Sequence, residues 1–149
     1  MSGCRRCGRR ARSEAQRGSV VVEFALVVPL VILVVVGVIQ YGYHYWAMQT
    51  ASATAREAAR RLIVGTDPVC TVAEATARAS GPAVGSTVPS VVYAYDNAGN
   101  TPERGVLVTV TVTIQSLDVG LVPLPSGGLV TQTASNRVEN VPIDPLLCD

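Results

Sequence analysis

Between residues 20 and 39 the chain carries one charged side chain, Glu23, in a run that is otherwise apolar. A carboxylate costs up to about 2.5–3.5 kcal/mol near mid-bilayer on insertion scales and less near the interface, so it points to a function unless it snorkels to the cytoplasmic edge. Gly18 sits directly between an arginine-rich arm and that run. The other residues with chemical potential do not converge. Cys4 and Cys7 form a C-x-x-C pair, yet a structural zinc takes four ligands, no second pair is nearby, and the lone histidine, His44, lies across the apolar run. No glycine-rich phosphate loop follows a strand, no nucleophile motif is present, and Asp96, Glu103, Asp118 and Asp144 are scattered among turn-forming segments. These residues read as a non-enzyme with no metal, no cofactor, no small-molecule substrate and no nucleic-acid partner. Topology alone accounts for the arginines of the arm.

A span of about 20 residues rising 1.5 Å each just crosses a hydrocarbon core roughly 30 Å thick, so residues 19–41 are expected to form a transmembrane helix in contact with the lipid bilayer. The many valines, strand formers elsewhere, are overruled because a spanning segment must satisfy its backbone internally. Pro29 deletes the hydrogen bond to the carbonyl of Ala25, which predicts a kink or a locally melted turn. Tyr41, Tyr43, Tyr45 and Trp46, with His44 among them, read as an aromatic belt at the far interface. Six arginines and one acid precede the span, whereas six arginines and nine acids follow it. The arm, residues 1–18, is therefore expected in the cytoplasm and the C-terminal part outside it, in a single-pass protein of the inner or plasma membrane. An arm without apolar periodicity is expected to be disordered. Cleavage by ordinary signal peptidase at Ala51-Ser52-Ala53 fits poorly, because the apolar run exceeds the roughly 7–15 residues of a signal h-region.

The arm, Gly18, Ser19 and Glu23 together resemble the signal of type IV prepilins, with a basic leader, a cut after Gly18, Ser19 as the new N-terminus and Glu23 fifth after the cut. More narrowly, GSVVVEFALVVPL followed by GVIQYG and ATAREAARRLIVG resembles the TadE-like family, the minor pilin-like proteins (pseudopilins) of Flp/Tad pilus systems. The likeness runs from about residue 17 to residue 65, and LVTQTASNRVE is similar to that family's closing strand. Phe24 follows Glu23 where many Flp-type prepilins have tyrosine, although phenylalanine suits the TadE-like pattern. The resemblance implies processing by a membrane aspartic prepilin peptidase, and assembly of a surface pilus with other Tad/Flp subunits and an inner-membrane platform. If the leader is removed, the amine of Ser19 is a cation in a low-dielectric setting, and Glu23 of a neighbouring subunit is its natural partner. Such a pair would set the stagger between helices, since a misregistered neighbour leaves both charges unmatched. The alternative is an uncleaved single-pass envelope protein whose C-terminal part has a binding or structural role.

The elements beyond the span make the expected fold class α+β and pilin-like. Residues 42–65 should continue the helix as a spine, about 70 Å long if unbroken from Ser19 to Val64, ending at Gly65 as a C-cap. Ala51, Ala55, Ala58 and Leu62 share one face, with Gln49, Arg56 and Arg60 mostly on another, and Glu57 and Arg61 form an i,i+4 pair. Residues 66–149 should make one small domain. Thr71 and Glu74 form a capping-box pattern opening a short helix to about Ser80. Val91 to Tyr95, the strict alternation from Val106 to Gln115, and Leu129 to Glu139 read as a three-stranded antiparallel meander with one face on the helix. Cys70 and Cys148 are the only cysteines beyond the membrane, where oxidation is permitted, and are expected to pair; free thiols or an intermolecular bridge are the alternatives.

Overall fold

The computed structural model describes residues 7–83 and 87–141, so the start of the arm, Asp144 and Cys148 lie outside the described residues. The element order is helix α1 (Cys7–Ile63), helix α2 (Pro68–Ala79), strands β1 (Ser90–Tyr95) and β2 (Leu107–Gln115), a single 3-10 turn (Pro125–Gly128) and strand β3 (Leu129–Arg137). The chain divides into two compact units, Met1–Val38 and Ile39–Asp149.

The first unit is helical from Cys7 onward. The expectation of a disordered arm is corrected for that part: arginine and alanine are good helix formers, and extending an existing helix avoids the unfavourable nucleation step. The helix also passes Pro29 without interruption, so no turn is melted there; one lost hydrogen bond leaves its neighbours paired. From Gly18 the helix is long and apolar enough to cross a membrane, and no residue of its most apolar stretch is buried. Phe24, Leu26 and Leu30 are each about two-thirds or more exposed. An apolar surface of that extent needs a lipid or protein covering.

The second unit is an α+β arrangement in which the sheet order is β1-β2-β3, both pairs antiparallel. The meander has the predicted strands, with Tyr95 opposite Val108 and Val110 opposite Ala134. Strand β2 alternates strictly, burying Val108, Val110, Val112 and Ile114. These join Ala47, Ala51, Ala55, Ala58, Ala59 and Leu62 of α1 in one core. The small-residue stripe read from the sequence is thus the buried face, and Gln49, Arg56 and Arg60 are exposed. These alanines are almost wholly buried in that core. We expect Ala55→Leu, at a fully buried site, to lower stability by about 1–3 kcal/mol in a denaturant titration, as overpacking does.

The end of α1 is fixed by backbone geometry. Gly65 takes a left-handed φ of 92°, and the Thr66 N–H donates to the Arg61 carbonyl at 3.1 Å, the six-to-one bond of a Schellman cap. The carbonyl of Ile63 accepts from the N–H groups of Glu139 and Asn140 at 3.0 and 2.9 Å, tying the segment after β3 to the helix end. Helix α2 starts earlier than its capping-box pattern indicates. Its N-cap is Asp67, whose carboxylate accepts from the Val69 and Cys70 N–H groups at 2.8 and 3.0 Å, with Pro68 at the first helical position. Thr71 instead lies within the first turn, its hydroxyl donating to the Asp67 carbonyl, and Glu74 turns to arginines.

Candidate functional site

On the apolar helix, Ser19 and Glu23 are one turn apart and so share a face. Gly18, Ser19 and Glu23 are all exposed, and a Cβ placed on Gly18 would meet nothing within 4 Å. Glu23 has no hydrogen-bond or ion-pair partner among the described residues.

The second unit uses its own polar residues differently. His44 is expected in the interfacial belt from sequence, but its ring is only 8% exposed, with Nδ1 3.2 Å from the Ser116 hydroxyl. The correction follows from helical spacing: Gln40, His44 and Ala47 extend the Ala51, Ala55, Ala58, Leu62 stripe, so they face the sheet rather than the belt. Gln40 is fully buried, and its Nε2 donates to the Val122 carbonyl at 2.9 Å and to Asp118 Oδ1 at 3.2 Å. Its Oε1 is buried without a partner among the described residues. Tyr41, Tyr43, Tyr45 and Trp46 remain exposed as a belt would be, with Tyr43 and Trp46 edge-on at 5.7 Å.

A chain of ion pairs joins the two helices. Arg61 donates to Glu57 at 3.1 Å and to Glu74, and Arg78 donates to Glu74 at 2.8 Å. The hydrogen bond from Arg61 holds the Glu57 carboxyl below its usual range. A carboxyl with a depressed pKa stabilises the fold above the unfolded value of 4.5, and that contribution is lost as pH falls through the lower folded value. Because the pair is over a third exposed on the glutamate side, the effect is only a few tenths of a kcal/mol. Comparing wild type with Glu57→Gln by denaturant titration below pH 4.5 and at neutrality should show the difference between them shrinking in acid. These groups neutralise one another and hold α2 against α1, which is a structural task. Among the described residues no group of three or more His, Cys, Asp or Glu is placed to hold a metal ion.

Cys70, in the first turn of α2, is disulfide-bonded, and no other cysteine side chain falls among the described ones. Asp96 and Glu103 lie in the loop between β1 and β2 and Asp118 in the loop after β2; of the three, Asp118 reaches α1, through Gln40. Sequence reasoning overlooked Gln40, whose signal was its place one turn before His44 on the stripe.

The described residues thus comprise a helix long and apolar enough to cross a membrane, as a membrane-anchored protein has, and a small α+β unit. Residues 18–60 match the family model described as TadE-like protein, the same family that the motifs around Gly18 and Glu23 resemble. The match covers the apolar run and most of its helical continuation. No curated protein and no solved structure matches the chain.

Proposed function

We propose that this protein is a TadE-like pseudopilin, cut between Gly18 and Ser19 by a prepilin peptidase and acting in Flp/Tad pilus assembly at the cell envelope. The observation that carries the reading is Glu23, without a side-chain partner among the described residues and one helical turn after Ser19 on an apolar helix with no buried residue in its most apolar stretch. Removing the leader creates the cation that Glu23 lacks. Four residues along a helix rise about 6 Å, so neighbours offset by roughly one turn bring the Ser19 amine of one level with Glu23 of the next. The arginines of the leader hold it in the cytoplasm, where it meets the peptidase, and the second unit is then outside. There Cys70 pairs with Cys148: Cys4 and Cys7 lie in the leader, so the processed chain retains only these two cysteines.

Intact mass of the membrane-extracted protein, from cells with and without the cognate prepilin peptidase, tests the reading. We expect an N-terminus at Ser19 that is lost without the peptidase. A mass that retains leader residues in both strains overturns it in favour of an uncleaved envelope protein.

A further inference from the structure

The loop between β2 and the 3-10 turn contains Leu117, Val119, Leu121, Val122, Pro123 and Leu124, and its only charge is Asp118. Val119 and Leu121 are 49% and 58% exposed and take no part in the core. An apolar loop of a water-facing unit is normally folded inward, and this one is instead held in place by polar bonds. Tyr41 donates its hydroxyl to the Pro123 carbonyl at 3.0 Å, and Gln40 Nε2 donates to the Val122 carbonyl at 2.9 Å. Asp118 Oδ1 accepts from Gln40 and, at 2.9 Å, from the Gly120 N–H, where a left-handed φ of 72° makes the turn. Gln40 and Tyr41 follow directly on Ile39, the last residue of the apolar run. The loop is therefore pinned at the level where α1 leaves the hydrocarbon, beside aromatic side chains of the kind that settle among head groups.

We propose that residues 117–124 form a second membrane contact, with Val119 and Leu121 in the outer head-group region of the bilayer that α1 crosses. The proposal rests on the reading of the apolar run as a membrane span. With no basic residue in the loop, the contact is apolar and does not require anionic lipid. Two attachments, helix and loop, fix how the sheet is turned relative to the membrane surface, which a single helix leaves free to rotate.

The test uses the full chain reconstituted in phosphatidylcholine vesicles, part of whose lipid carries bromine at the head-group end of the acyl chains. Trp46→Phe removes the single native tryptophan, and Leu121→Trp or Val119→Trp introduces a reporter in the loop. Ala98→Trp, in the turn after β1 at the opposite end of β2, serves as the control. Tryptophan favours the interface, so we expect the brominated lipid to remove about half of the emission from either loop reporter and to leave the control reporter unchanged. Replacing part of the phosphatidylcholine by phosphatidylglycerol should not alter the result. Chains that float with the vesicles while both loop reporters stay as bright as the control overturn the proposal and leave the membrane span intact. If those unquenched reporters are also shielded from aqueous iodide, the loop is covered by a neighbouring protein instead. Chains that do not float overturn the span, and the loop contact with it.

Discussion

Glu23→Gln is expected to leave the protein processed and its second unit folded, yet to abolish pili. Glutamine keeps the shape and removes the charge, so the Ser19 amine of each neighbour is left uncompensated. On the proposed pairing, breaking one side of a buried pair costs about 3–5 kcal/mol at each contact that Glu23 makes with a neighbouring subunit, enough to block assembly. Gly18→Val should reach the same end by another route. A Cβ at Gly18 meets nothing within 4 Å, so no steric clash with the rest of the chain is expected, and on the proposed reading the substitution acts at the peptidase. Mass spectrometry would then show mature chain for Glu23→Gln and unprocessed chain for Gly18→Val. Electron microscopy of the cells should show no pili in either strain, and limited proteolysis should leave the second unit equally resistant in both. Normal piliation in both strains would remove Glu23 from assembly and leave it as a carboxylate near the interface.

The parts legible in the sequence are those where a period and a burial pattern coincide. The alternation from Val108 to Ile114 named both the strand and its buried face, and Ala51, Ala55, Ala58 and Leu62 named the helical face it meets. Where a polar side chain occupies a buried site, the pattern misleads. Gln40 and His44 belong to that same helical stripe, but they bond to Val122, Asp118 and Ser116, more than seventy positions away, and no local pattern announces such partners. The start of α2 was obscured by competition between two plausible caps. Asp67 with Pro68 prevails over Thr71 with Glu74 because the proline presets the helical φ and Glu74 is drawn to Arg61 and Arg78. At Gly18 and Glu23 the reading rests on the sequence, since the partners proposed for them belong to other molecules.

The disulfide carries the second large effect. Cys70 is bonded, and with the leader removed as proposed, the partner proposed for it is Cys148. In the chain-entropy model a bridge closing a loop of that length is worth about 4 kcal/mol, against a total stability of only about 5–15 kcal/mol for a domain. Cys70→Ser and Cys148→Ser should therefore each lower stability strongly in a denaturant titration, by about 2–5 kcal/mol, and reduction of the wild type should do the same. The double replacement should be no worse than either single one, because both remove one bond; two independent thiols would add their costs. Cys4→Ser and Cys7→Ser should change nothing once the leader is gone. Additive effects at Cys70 and Cys148 would instead mean that Cys70 is bridged elsewhere, and a loss of stability on Cys4→Ser or Cys7→Ser would mean that the leader stays on the chain and on the same side of the membrane as Cys70.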